Sequence, residues 1–196
     1  MNYNVEVKLL AITPDSENLL EKAGRICYAS EDKLGTNEKW LQIRIKQGHE
    51  SIIEHASATF FIKASRALTH ELVRHRIASY SQRSQRYVPE THAEYISPPE
   101  LSEKIDSENA KIFHNAMTAS WNAYHKLLEA GIKPEIARYV LPNACTTEII
   151  CTWNFREIRH ILKTRTDQSV LPEFREVSEK IKAIMKEQAP KVFSDL

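Results

Sequence analysis

In this chain no strand pattern follows directly on another; each is divided from the next by a stretch of helical period. Val5, Val7 and Leu9 alternate with Glu6 and Lys8, the signature of a half-buried strand. Ala56, Ala58, Phe60 and Ile62 alternate along a second, and residues 146–153, rich in Thr and Ile, read as a third. Separated strands with long helices between them predict an α+β chain. The expectation is a single domain over residues 1–196, with an antiparallel or mixed sheet flanked by long helices.

The helical stretches carry start and stop signals. Thr13 is the expected N-cap of a first helix, with Pro14 at its first position and Leu19, Leu20, Ala23, Ile26 and Cys27 as its apolar stripe. A second is expected over 36–47, stopped by Gly48. Ser65 caps a third, which carries Leu68, Leu72 and Val73 into Arg74, His75 and Arg76. Pro89, Pro98 and Pro99 mark a connection. A long helix is expected over about 102–130, closed by Gly131, with Phe113, Met117, Tyr124, Leu127 and Leu128 as core or subunit contacts. A short helix bracketed by Pro134 and Pro142 carries Arg138. Asn154 with Glu157 forms a capping-box pattern. It opens a helix with Ile158, Ile161 and Leu162 on one side and Arg156, Arg159, His160, Lys163 and Arg165 making it basic. A solvated face accounts for those charges by default. Pro172 starts a last amphipathic helix through Phe174, Val177, Ile181 and Ile184.

Against this plain scaffold residues 74–87 stand out. They hold Arg74, Arg76, Arg83 and Arg86, with His75, three serines, Tyr80 and Tyr87, and no acid. The chain as a whole is nearly balanced, with 27 basic and 26 acidic residues, so this surplus is local. Arginine forks match phosphate and carboxylate oxygens, and tyrosines and guanidinium planes stack on rings. A phosphorylated ligand with an aromatic base, held in a loop, is the direct reading. A solvated basic loop and a groove for single-stranded nucleic acid are the alternatives. Positive charge at a helix C-terminus is favourable in itself, which accounts for Arg74 and Arg76 without a ligand.

Other classes are disfavoured. The four glycines form neither GxGxxG nor GxxxxGK[ST], so no Rossmann or P-loop site is signalled. His49, Glu50, Glu54 and His55 cluster, but Ile53 and Ser51 stand where the zinc motifs need His. No metal is expected, and the stretch reads as a hydrogen-bonding turn beside a ligand. Cys27, Cys145 and Cys151 follow no CxxC pattern and predict a reducing compartment. With no signal-peptide pattern at the start and no apolar run of membrane-spanning length, the expectation is a cytoplasmic protein.

The order of these stretches resembles the flavin-dependent thymidylate synthases. That family's signature is Arg-His-Arg, seven residues, then Ser; here it is Arg74-His75-Arg76 and Ser84. The match takes in Gly48-His49-Glu50-Ser51 with Glu54-His55 upstream, then Ala137-Arg138, Leu141-Pro142, Asn154-Phe155-Arg156, His160 and Arg165 downstream. The resemblance implies conversion of dUMP to dTMP without an enzyme nucleophile. Methylenetetrahydrofolate would supply the carbon and FAD, reduced by NADPH, the hydride. It also implies a homotetramer with active sites where subunits meet. By the same resemblance, Arg74, His75 and Arg76 contact the flavin, joined by Ser51, Gln82, Asn154, Arg156 and His160. Glu71, Leu72, Val73 and Arg74 form one edge of the dUMP site. Gln82, Arg83, Ser84, Gln85 and Arg86 form its loop, with Arg86 and Arg138 suited to the phosphate. Arg165 is placed at the pyrimidine as the catalytic cation. Two positions depart from the family: Gln82 stands where Glu is common, and Cys27 where some members have a flavin-contacting Ser. Ser84 has no evident local base and is assigned to nucleotide binding rather than attack.

Overall fold

The computed structural model describes residues 4–92, 94–102 and 107–196. Its centre is one four-stranded sheet in the order β1-β2-β4-β3, antiparallel at each pairing. The strands are β1 (Glu6–Ile12), β2 (Ser57–Ser65), β3 (Ala78–Gln82) and β4 (Thr146–Asn154). β2 and β4 form the middle, paired from Ser57↔Asn154 to Ser65↔Thr146. Alternation decides which way β2 faces: Ala58, Phe60, Ile62 and Ala64 are buried while Thr59, Phe61 and Lys63 are half-exposed.

β3 was expected as loop. Its sequence, Ala-Ser-Tyr-Ser-Gln, is polar, yet it pairs with β4 from Ala78↔Trp153 to Gln82↔Ile149. It is an edge strand, so its outward side needs no apolar residues and gives no hydrophobic signal.

The helices are α1 (Ser16–Ile26), α2 (Trp40–Lys46), α3 (Arg66–Leu72), α4 (Pro99–Ser102), α5 (Glu108–Glu129), α6 (Pro134–Ala137), α7 (Phe155–Arg165), α8 (Pro172–Gln188) and α9 (Pro190–Phe193). Three differ from expectation. The first starts at Ser16, because Asp15 takes a left-handed conformation (φ 48°) and interrupts the helix; Thr13 instead bonds Ser57 across to β2. Its buried face is Ser16, Leu20, Glu21, Gly24 and Arg25, whereas Leu19, Ile26 and Cys27 are exposed. The second begins only at Trp40. The long helix expected over 102–130 begins at Glu108, capped by Ser107 Oγ, and the start proposed for it runs into residues 103–106, outside the described residues. Gly48 and Gly131 follow α2 and α5 with positive φ, as C-terminal glycines do.

α7 and α8 lie against the sheet with their apolar stripes inward. Phe155, Ile158, Ile161 and Leu162 meet Phe174, Val177, Ile181 and Met185 in the core that also holds Phe60, Ile62 and Trp153. The cap predicted for α7 is present, Asn154 Oδ1 accepting from the Glu157 backbone N–H at 2.8 Å. So is that of α3, where Ser65 Oγ accepts from Leu68 N–H at 3.1 Å. That hydroxyl in turn donates to Glu173 of α8 at 2.6 Å, and the Ser65 backbone N–H donates to the same carboxylate at 2.7 Å. One buried carboxylate thus ties the start of α3 to α8. No helix among the described residues is long and apolar enough to cross a membrane.

Candidate functional site

Between α3 and β3 the chain turns through Val73 and Arg74. Tyr80 fixes the turn. Its hydroxyl lies 2.9 Å from the Leu72 carbonyl and 2.7 Å from the His75 carbonyl, and it accepts from the Trp153 indole N–H at 3.1 Å. One phenolic proton is shared between two carbonyls. Burial pushes the phenol up to about 12, so that proton stays on at neutral pH. The turn divides the triplet. Arg74 and Arg76 face outward without an ion pair among the described residues, and the His75 ring faces inward, 8% exposed.

His75 sits among charged side chains that sequence spacing does not reveal. Its Nε2 accepts from Arg165 Nε at 3.1 Å, and its Nδ1 faces Glu157 at 3.4 Å. Arg165 also donates to Glu71 at 3.1 Å and lies over the Phe174 ring, 4.8 Å from its centre. The ring edges of His160 and Phe174 complete the enclosure. Burial, then Arg165 and His160, lower the imidazole to about 4, so it is neutral at neutral pH. Arg165 is therefore not part of a solvated basic face. α7 as a whole is neutralised from elsewhere: Arg156 pairs with Glu54 at 2.5 Å and Glu50 at 3.5 Å, Lys163 with Glu50, and the buried Arg159 with Asp195.

Beside the turn opens a cleft of about 490 Å³ lined by Glu50, Glu54, Ile77, Asn154, Arg156, Glu157, His160 and Lys163. Of the residues matched to flavin contacts, Asn154, Arg156 and His160 line it, and Arg76 directly precedes its lining residue Ile77, with Arg74 on the same turn. Ser51 is exposed on the 3₁₀ turn Glu50–His55 that supplies two of its walls. Gln82 is elsewhere, its amide donating to Thr69 at 3.0 Å and Thr147 at 3.3 Å. Two outward arginines free of ion pairs among the described residues, with the exposed apolar Ile77 and a cleft whose cations Arg156 and Lys163 are paired to Glu50 and Glu54, are a donor set that suits a dinucleotide with a ring to cover. Among the described residues no group of three or more His, Cys, Asp or Glu is placed to hold a metal.

The other predicted residues gather at the far end of β3, roughly 14 Å away at about 3.4 Å per strand residue. Arg83 N–H bonds Glu148 O at 2.9 Å, Ser84 Oγ accepts from Arg86 N–H at 3.2 Å, and Arg86 pairs with Glu135 at 2.9 Å. Arg138 Nε reaches Glu135 O at 3.3 Å. Among the described residues no histidine or carboxylate is hydrogen-bonded to the Ser84 hydroxyl. Gln85 is buried beside the Cys145 thiol, and its Nε2 makes no well-formed hydrogen bond among the described residues. Leu72 is also buried, Val73 is exposed, and Glu71 stands with Arg165 at the first end. A single chain thus splits the residues matched to dUMP between the two ends of one strand.

Sequence reasoning missed Arg66, Glu157 and Phe174. Arg66 opens α3, donates to Arg83 O at 2.9 Å, keeps its buried Nε unpartnered and has its pKa lowered, mainly by burial. Its one available signal was a charge directly after a capping serine. Glu157 read as a capping residue and Phe174 as core, which they also are.

A profile of the family described as "Thymidylate synthase complementing protein" matches residues 8–191. The chain is 39% identical to a flavin-dependent thymidylate synthase of Clostridium tetani, over 96% of this chain and 85% of that protein. It is 40% identical to one of Mycolicibacterium vanbaalenii, over 90% and 78%. The chain belongs to the flavin-dependent thymidylate synthase family. The fold agrees with that of a UMP/dUMP methylase from Streptomyces cacaoi, solved with 5-bromo-dUMP bound, at a TM-score of 0.87 and 23% identity over 98% of this chain and 94% of that one.

Proposed function

We infer that this protein makes dTMP from dUMP by reductive methylation, with FAD, NADPH and methylenetetrahydrofolate. Membership of the family supports the reaction. The observation that carries its assignment to residues is Arg165: a guanidinium one quarter exposed, fixed by Glu71, His75 and Phe174 behind Glu157 and His160 of the cleft wall. A cation held rigid before the reaction stabilises negative charge on the uracil ring as N3 loses its proton, without reorganising during the step. The bound flavin supplies redox chemistry, and the chain supplies binding, orientation and electrostatics. Arg74 and Arg76 take the flavin's anionic parts, with Asn154, Arg156 and His160 along the cleft and Ser51 at its rim. Arg83, Ser84, Gln85, Arg86 and Arg138 take the nucleotide, with the two arginines Arg86 and Arg138 at its phosphate.

Because Arg165 and Arg86 lie at opposite ends of β3, a site holding both comes most simply from two copies of the chain. This supports a homotetramer with active sites at subunit contacts. Exposed Ile77 and Tyr139, 65% and 83% accessible, suit coverage by a neighbour. The working unit is one domain over residues 1–196, and three free thiols suit the cytoplasm. The thiol of Cys145 is pushed up to about 12 and that of Cys151 further, both chiefly by burial, so neither is a ready nucleophile.

The test is Arg165→Ala. Flavin reduction by NADPH is expected to persist while dTMP formation falls at least about a hundredfold, the loss seen when one preorganised donor is removed. Arg165→Lys keeps the charge, loses the planar fork and recovers part of the rate. Near-normal dTMP formation by the Ala variant would refute the assignment.

A further inference from the structure

We propose that His75, oriented by Glu157, is a positioning residue for Arg165, so that the ring of the histidine in the signature triplet serves the nucleotide step.

Resemblance places all three residues of the triplet against the flavin. The structure separates them, with Arg74 and Arg76 outward and the His75 ring buried beneath the turn. Its Nε2 can accept the Arg165 Nε proton only if the proton of the neutral ring sits on Nδ1. Glu157 is placed to favour that tautomer: its carboxylate oxygen stands 3.4 Å from Nδ1, a contact longer than a good hydrogen bond but on the side where an N–H is favoured over a lone pair. Glu157 is itself buried, in the first turn of the Asn154-capped helix. The order carboxylate, imidazole, cation follows the logic by which a buried carboxylate holds an imidazole in one tautomer for a third group. Here the third group is a guanidinium. The other two contacts of Arg165 leave it freedom that His75 removes. Glu71 is 43% exposed on its side chain and holds one terminal nitrogen. Phe174 fixes the plane of the guanidinium but not its direction within that plane. Among the described residues only His75 engages Nε, the one guanidinium nitrogen attached to the stem, and so fixes which edge of the fork faces outward. The groups facing His75 are Glu157, Arg165, His160 and Phe174, and at neutral pH the ring keeps its lone pair toward Arg165.

The bland alternative is a core histidine with satisfied nitrogens. The two differ in which half-reaction suffers. The inference rests on Arg165 acting at the pyrimidine, so Arg165→Ala is run alongside: an active Ala variant overturns that reading, and the comparison below concerns His75 alone.

The experiment uses flavin-loaded enzyme carrying His75→Leu, His75→Gln or Glu157→Gln. Each is measured for flavin affinity, flavin reduction by NADPH, dUMP affinity and dTMP formation. Leu keeps bulk and removes the acceptor; Gln returns an amide oxygen near the place of Nε2. Glu157→Gln presents an amide N–H to Nδ1 and favours the tautomer that turns a second donor toward Arg165. The expected result is a loss of dTMP formation of about tenfold or more in His75→Leu and Glu157→Gln, partial recovery in His75→Gln, and flavin affinity and reduction within about twofold of wild type, the pattern of an interaction used in the transition state. Weakened flavin binding with unchanged turnover of the loaded enzyme would overturn the proposal in favour of a flavin contact. Losses that follow thermal stability across the variants, with no recovery by Gln, would overturn it in favour of a core role. If His75→Leu does not fold, Glu157→Gln decides, and wild-type dTMP formation in that variant overturns the proposal.

Discussion

Glu173 offers a stability test that leaves every proposed ligand contact in place. Its carboxylate is buried and accepts two short bonds from one residue, Ser65 N–H at 2.7 Å and Ser65 Oγ at 2.6 Å. Truncation to Ala removes both. Bonds to a charged acceptor contribute about 1.5–3 kcal/mol, and a buried backbone N–H left unpaired costs about 1–3 kcal/mol. The hydroxyl is less affected, since it still accepts from Leu68 N–H. Against this stands the release of a buried carboxylate. Burial raises the Glu173 pKa despite both bonds from Ser65, so ionisation there is unfavourable and its removal returns part of the loss. The net expectation for Glu173→Ala is about 2–3 kcal/mol of destabilisation, or roughly 5–10 °C in Tm for a chain of this length. Glu173→Gln keeps one acceptor but sets an amide N–H against a donor, and falls between Ala and wild type. Thermal unfolding at one fixed protein concentration measures this, because any assembly of copies, as proposed, would make Tm concentration-dependent. A Tm for the Ala variant within about 2 °C of wild type would refute the argument that Ser65 depends on α8 for its acceptor.

Two further outcomes follow from shifted pKa values. His75 titrates near 6.5 unfolded and about 4 folded, so between those values the unfolded chain binds more protons and stability rises with pH, by about 3 kcal/mol at most across the window. Urea unfolding at pH 7.5 and 4.5 is expected to show a smaller acid loss in His75→Gln than in wild type; equal losses would contradict a neutral buried ring. Replacing Cys27, Cys145 and Cys151 together by Ala is expected to leave dTMP formation in place, with stability lower by about 1–3 kcal/mol from the two buried sites. A folded, flavin-loaded but inactive triple variant would mean that a thiol takes part.

Much of the scaffold was legible because it rests on local periodicity. β2, β4, the caps at Ser65 and Asn154, and the apolar stripe of α8 all stand where alternation and capping residues put them. What failed depends on partners distant in sequence. β3 carries no hydrophobic pattern, and only β4 makes it a strand. The cap of α1 slipped because Asp15 left the helical region of backbone space, which composition does not announce. The charge on α7 looked solvated because its partners Glu50, Glu54, Glu71 and Asp195 come from other segments. The signature residues could be identified by order and spacing, but their division between two ends of a strand could not. Spacing along a chain does not say which side chains share a face once the chain has turned.

The tie between Ser65 and Glu173 also sets a calendar for synthesis. Every residue of the signature, from Gly48 to Arg165, leaves the ribosome before Pro172 begins α8. Yet the ring beneath Arg165 is Phe174, and the acceptor that steadies the start of α3 is its neighbour Glu173. A transcript broken just short of codon 172 would encode every recognisable motif and still lack the support under the proposed catalytic arginine.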